Sequence, residues 1–391
     1  MYNRETNKKT LDYMQAIRGF SDQSYTKYES DLNLYSEYFD MSLEELLEEA
    51  EEDEDKNIRM RKRRINDKIL RFQKHLEEDK VTHPITKKTV SYAPYTINNI
   101  ITSVKNFYTC YDIQVPMIRR KRAKLENQED IITKREIRLA LQHDPNQQHK
   151  AIILLLSCSG LDVDSLLKLT VKDYTNGVKM YSTFTPSSNL KSFFEDLNRQ
   201  KDVVATLSME RPKTHYEHIF FFSPEACHAL NYSLLERIRL GEDLKLDSPL
   251  ITIGKQAINK FFVKLNDKLG FGWTSRGTRR RFRPHGLRAF FASTLVGATI
   301  DGMMIDSMII EFMLGHTIPA TTAAYYKKKP ELLKNVYVSV MGKLSMGEYY
   351  KVKTINSPEY ERMKNELERY KVLEAKIEKL ERLQGLYSKL D

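Results

Sequence analysis

Apolar residues recur at three-to-four spacing through the first 115 positions, in five segments: Thr10 to Phe20, Ser24 to Phe39, Ser42 to Glu54, Lys56 to Lys80 and Tyr95 to Tyr111. That period predicts five amphipathic helices. Glycine is nearly absent from this stretch, and Pro84 and Pro94 fall between segments. Ser42 before Leu43-Glu44-Glu45 predicts a capping-box start, with the Glu45 carboxylate reaching back to the cap. The pattern changes after position 131. Thr133 is placed to cap a helix through Leu141, and His149 to Ser159 reads as a strongly apolar helix. Val203 to Glu210 alternates as a half-buried strand does, Arg211-Pro212-Lys213-Thr214 reads as a turn, and Ile219 to Phe222 as a buried returning strand. From Pro224 onward the chain reads as mostly helical. The expected class is α+β and mostly helical. A helical domain covers 1–115, a basic linker 116–131, and a mixed α/β domain with a small antiparallel sheet 132–350; a C-terminal amphipathic helix covers 351–391.

That last segment carries an apolar stripe at Met363, Leu367, Tyr370, Leu373, Ile377, Leu380, Leu383 or Gln384, Leu386 or Tyr387, and Leu390. It reads as one long helix of about four heptads with a slip near Leu383. Self-association as a coiled coil, packing on the chain's own body and a free helix are the three outcomes such a stripe allows.

Composition adds a partner. The 391 residues are 41% hydrophobic and 30% charged, with net charge +10 and pI near 9.1. That length suits about two or three domains, and the basic excess favours a polyanion, DNA or RNA first. No run reaches the ~18 apolar residues of a membrane span. The opening MYNRETNKKT lacks the apolar core of a secretory signal. Cys110, Cys158 and Cys227 are far apart and odd in number, which points to buried free thiols in a reducing cytoplasm. No Cys/His cluster has zinc spacing. Charge is also unevenly distributed. Nine acids lie in 44–55, followed by Arg59, Arg61, Lys62, Arg63 and Arg64. Such blocks read either as a solvated helix face with a tethering loop, or as a phosphate-binding half beside a half that stays off DNA. Arg119, Arg120, Lys121, Arg122 and Lys124 form a cationic strap suited to a DNA backbone.

The third quarter holds the candidate chemistry. Arg276 to Arg288 contains six arginines (276, 279, 280, 281, 283 and 288) and no acid. His285 and Arg288, three apart at a helix start, share one face and can address one phosphate. Leu314-Gly315-His316 follows, then Thr321-Thr322, then Tyr325, with Tyr326 as its rival. His285-Gly286-Leu287-Arg288, the Leu-Gly-His triplet and the tyrosine nine positions beyond it resemble the active site of the tyrosine recombinases, also called phage-type integrases. The general style is similar to archaeal and archaeal-virus integrases. The resemblance implies a site-specific DNA recombinase that cuts and rejoins duplex DNA through a 3′-phosphotyrosyl intermediate, without metal, cofactor or nucleotide. It implies Tyr325 as nucleophile, Arg288, His285 and His316 around the phosphate, and Lys213, on a hairpin turn, at the leaving oxygen. Arg276, Arg279, Arg280, Arg281 and Arg283 with the 119–122 strap would hold DNA. Residues 1–115 would be a core-binding domain and 132–350 the catalytic domain, working as a tetramer on double-stranded DNA in the nucleoid or a host cytoplasm.

One position departs. The family's box reads roughly T/S-G-L-R-hydrophobic-S-E-L-L, whereas Ser159-Gly160-Leu161-Asp162-Val163-Asp164-Ser165-Leu166-Leu167 has Asp162 for the arginine and Ser165 for the glutamate. A bare carboxylate there would repel a scissile phosphate. Either another arginine (Arg211, Arg283 or Arg276) takes the role, or the site is impaired. The departure motivates one alternative, a DNA-binding protein of the same fold that no longer cuts; the other is a type IB topoisomerase-like enzyme using the same chemistry.

Overall fold

The computed structural model describes residues 4–82, 89–122, 130–211, 215–275, 277 and 279–347. Lys213, Arg276 and the expected C-terminal helix lie outside the described residues. The described chain is mostly helical, with three two-stranded antiparallel sheets, and divides into two compact units, Met1–Glu126 and Asn127–Asp391. No described helix is long and apolar enough to cross a membrane.

The first unit contains α1 (Lys8–Arg18), α2 (Asp22–Phe39), α3 (Leu43–Asp55), α4 (Arg64–Glu78) and α5 (Pro94–Cys110), with a hairpin of β1 (Lys80–Thr82) and β2 (Thr89–Ser91). Their apolar stripes bury Met14, Leu32, Tyr35, Leu46, Ile69, Phe72, Val104 and Phe107 in one core. Both bonds of the Ser42–Glu45 capping box form. The helix expected over Lys56 to Lys80 is shorter. Asn57 takes φ +51°, Met60–Lys62 form a 3-10 turn, and α4 begins at Arg64. Asp53 explains the break. Its buried carboxylate accepts the Arg64 backbone N–H at 2.6 Å and the guanidinium at 2.8 Å, so the end of α3 caps the start of α4. Arg64 also meets Glu52 at 3.1 Å, and Arg63 pairs with Glu54. The acidic and basic blocks thus partly neutralise each other, while Arg59, Arg61 and Lys62 remain exposed. The cationic strap is likewise fastened. Asn98 exchanges two bonds with the Lys121 backbone (2.8 and 2.9 Å), and Lys121 Nζ reaches Glu77 at 2.7 Å. Arg119, Arg120 and Arg122 are exposed.

The second unit runs α6 (Lys134–His143), α7 (Gln147–Ser159), α8 (Val163–Lys168), α9 (Val171–Val178), α10 (Leu190–Arg199), β3 (Ala205–Arg211), β4 (Tyr216–Phe222), α11 (Pro224–Arg239) and α12 (Lys255–Lys268). It continues with α13 (Pro284–Val296), β5 (Thr299–Ile300), β6 (Met303–Met304), α14 (Ser307–Met313), α15 (Ala320–Lys328) and α16 (Pro330–Leu344). Thr133 caps α6 in a full capping box. Every residue of α7 from Ala151 to Ser159 is buried, as an all-round apolar helix must be, and it packs on α11, α13 and β4. The β3–β4 hairpin runs in register from Ala205↔Phe222 to Arg211↔Tyr216. Cys110, Cys158 and Cys227 are free and buried.

Candidate active site

The site forms where the end of α7 meets α13. Gly160 ends α7 in the left-handed region (φ +68°), and a Cβ there would lie 2.4 Å from Phe291 Cδ1 on α13. Only glycine permits that approach. It brings the Gly160 carbonyl to Arg288, whose Nη1 donates to it at 2.5 Å. Arg288 Nη2 donates to the Leu314 carbonyl at 2.6 Å and lies 2.9 Å from His316 Nε2. Arg288 is 8% exposed. Burial, helped by the charge of Arg211, pushes its pKa down to about 10, so it stays cationic at neutral pH.

His316 is oriented from its other side. Its Nδ1 sits 2.5 Å from Glu311 Oε2, one turn back at the end of α14. A guanidinium can only donate, so Nε2 accepts from Arg288 and the imidazole proton resides on Nδ1, facing Glu311. A carboxylate hydrogen-bonded behind an imidazole fixes the tautomer and the ring plane. The turn itself depends on Gly315 (φ +67°), against which the His218 ring packs at 3.0 Å from a built Cβ.

A second arginine reaches the same turn. Arg211, at the end of β3, donates Nη1 to the Gly315 carbonyl at 3.3 Å. Its Nε and Nη2 meet Asp162 Oδ2 at 3.0 and 2.8 Å. Asp162 is the N-cap of α8, and its Oδ1 accepts the Ser165 N–H at 2.8 Å. Burial pushes the Asp162 carboxyl up. The Ser165 N–H and the Arg211 guanidinium more than offset that and hold it below the usual carboxylate range.

The two tyrosines differ in setting. Tyr326 packs on Phe312 (ring centroids 5.4 Å apart), and its hydroxyl pKa is pushed up by burial and by Asp306. Lys327 bonds Glu217 on β4 at 2.8 Å. These contacts hold α15 and leave Tyr325 68% exposed. His285 is exposed in the first turn of α13, one turn ahead of Arg288. The arginine-rich segment is braced internally. Arg280 makes a two-pronged pair with Asp267 (2.6 and 2.7 Å) and lies over Trp273, and Arg281 pairs with Glu136 at 2.9 Å. Arg283 Nη1 donates to the Arg280 carbonyl at 2.8 Å, and Arg279 is exposed. Acids missing from the segment itself are therefore supplied by α12 and α6. The density of arginine does not by itself require a polyanion.

No family model and no curated protein matches the chain. Solved structures do. The chain is similar in structure to recombinases and integrases. A lambda integrase (75–356) dimer bound to a COC′ core site is 12% identical, with 84% of this chain and 95% of that one covered, at a TM-score of 0.47. XerA recombinase is 18% identical, covering 84% and 98%, at 0.33. The Tn1549 transposon integrase (82–397) in complex with circular intermediate DNA is 14% identical, covering 82% and 98%, at 0.44.

Two residues of the site were missed in the sequence. Glu311 had no signal beyond standing five before His316. His218 stands directly before the apolar run Ile219–Phe222 of β4, the one available hint. Burial pushes its pKa down to about 4; Arg288 and Arg211 act in the same direction, against the Tyr216 backbone and Asp162. The folded protein therefore refuses a proton that the unfolded chain accepts below about pH 6.5. Stability falls as pH drops from there towards 4, by at most on the order of 3 kcal/mol from this group. His218→Phe is expected to flatten the loss of urea midpoint across that window. An unchanged slope would mean that His218 protonates in place without cost.

Proposed function

We propose that this chain is a site-specific DNA recombinase that cuts and rejoins duplex DNA through a 3′-phosphotyrosyl link at Tyr325. One observation carries the reading. Arg288 is a buried cation to which no carboxylate bonds among the described residues. It stands against His316, on the turn that leads into the helix bearing the exposed Tyr325. A buried charge without a counterion is costly, and an arriving phosphate removes that cost.

In the proposed step, Tyr325 Oη attacks the phosphorus and the P–O5′ bond breaks. The phenol proton passes to His285, and the departing 5′ oxygen takes a proton from Lys213. Arg288, with N–H groups beyond its three named bonds, meets the negative charge on the non-bridging oxygens, with His316 beside it on the same turn. A free 5′ hydroxyl reverses the step on the same or another strand. One phosphodiester is exchanged for one phosphotyrosyl ester, so no nucleotide is consumed. Arg279 and the 119–122 strap would take backbone phosphates, and four protomers would hold two duplexes.

Asp162 favours one second reading, a protein of this fold that binds DNA without cutting it. Incubation with a library of nicked duplexes separates the readings. The expected result is a denaturant-resistant protein–DNA adduct and joined product at a defined site. An adduct with relaxation but no site-dependent joining would indicate a topoisomerase, and binding with no adduct on any substrate would leave the DNA-binding reading.

A further inference from the structure

We propose that Arg211 supplies the second guanidinium of this phosphate site, in the place where the box around Gly160 would otherwise carry its own arginine, with Asp162 as the anchor that delivers it. The inference rests on the recombinase reading. It explains how a site with a carboxylate at position 162 can still hold an anion.

Three features support it. First, Asp162 is not free to face a phosphate. Oδ1 caps α8 at Ser165, and Oδ2 takes both Nε and Nη2 of Arg211. The position contributes a cap and an anchor, and the cation arrives from β3 instead of from α8. Second, Arg211 and Arg288 grip successive carbonyls of one turn, Gly315 at 3.3 Å and Leu314 at 2.6 Å. Two guanidiniums are thus held side by side at the turn that carries His316. Asp162 neutralises one of them, so the pair keeps a net positive charge with which to meet a phosphate. Third, the named bonds engage three of the five N–H groups of Arg211, so donors remain for an oxyanion. The pair also fastens the end of β3, two residues before Lys213.

Arg211 is then a catalytic residue and Asp162 a positioning residue. The test uses the full chain and reads single-turnover adduct formation at saturating DNA, DNA affinity and thermal melting. Arg211→Ala is expected to slow cleavage roughly 10²–10³-fold, the scale of one lost oxyanion donor. Arg211→Lys is expected to recover only part of this, because an ammonium lacks the forked geometry. Asp162→Arg and Arg211→Asp should each be as damaging as Arg211→Ala. The double exchange Asp162→Arg with Arg211→Asp restores a guanidinium facing a carboxylate and is expected to recover at least about tenfold over either single variant. Singles that cleave like the parent, or an exchange no better than the worse single, would reduce the pair to a structural ion pair and overturn the proposal.

A readout independent of cutting covers the case in which the parent makes no adduct. In a Tyr325→Phe background, orthovanadate is expected to raise the melting temperature, and Arg211→Gln or Arg288→Gln to remove that rise. Stabilisation that survives Arg211→Gln would exclude Arg211 from the anion site whether or not the protein is a recombinase.

Discussion

Replacing Tyr325 by phenylalanine is expected to abolish the covalent adduct of the proposed reaction and to leave duplex affinity nearly unchanged. The physical reason is the division of labour on α15. The Tyr326 ring is packed on Phe312, and its hydroxyl, held by burial and Asp306, loses a proton less readily than an ordinary phenol. Tyr325 makes no ring contact of that kind among the described residues and is 68% exposed. One hydroxyl contributes only about 0.5–1.5 kcal/mol net to a hydrogen-bonded interface, so binding survives its loss while the attacking atom is gone. Tyr326→Phe is expected to keep the adduct. Denaturing electrophoresis of both variants on a labelled nicked duplex decides the matter. Adduct lost in Tyr326→Phe and kept in Tyr325→Phe would move the nucleophile by one residue.

Arg288→Ala is expected to lower the rate of cleavage by roughly 2.7–4 kcal/mol of transition-state stabilisation, about 10²–10³-fold, since in the proposed reaction it would remove charged donors to the developing oxyanion. It also leaves the Gly160 and Leu314 carbonyls without their partner, at about 1–3 kcal/mol for each buried acceptor left unpaired. The two effects separate experimentally. Urea melts report the lost carbonyl bonds, and single-turnover cleavage well below the melting temperature reports the chemistry. His316→Ala is expected to cost less in rate, because an imidazole offers one donor where the guanidinium offers several. A folded Arg288→Ala protein that cleaves like the parent would remove this residue from the site.

Much of this protein is legible in the sequence because it is written in local code. Three-to-four spacing marks α2 and α5; Ser42 and Thr133 mark helix starts through caps that bond within three residues; alternation over Val203 to Glu210 and the apolar run Ile219 to Phe222 mark the β3–β4 hairpin. The order His285, Arg288, His316, Tyr325 is visible for the same reason, as spacing along one chain. Other features depend on groups far apart in sequence. The late start, at Arg64, of the helix expected from Lys56 comes from Asp53 capping α4 across eleven residues. Arg280 and Arg281 find carboxylates on two other helices. Asp162, read alone, is a carboxylate in the wrong place. Only the fold brings it to Arg211, 49 residues on, and brings that arginine to the same turn as Arg288. By itself the sequence determined most helices of the first unit, the β3–β4 hairpin and the set of candidate side chains, since these depend mostly on near neighbours along the chain. The tertiary structure alone decided which charges face one another, because Coulomb and hydrogen-bond energies depend on distance in space and not along the chain.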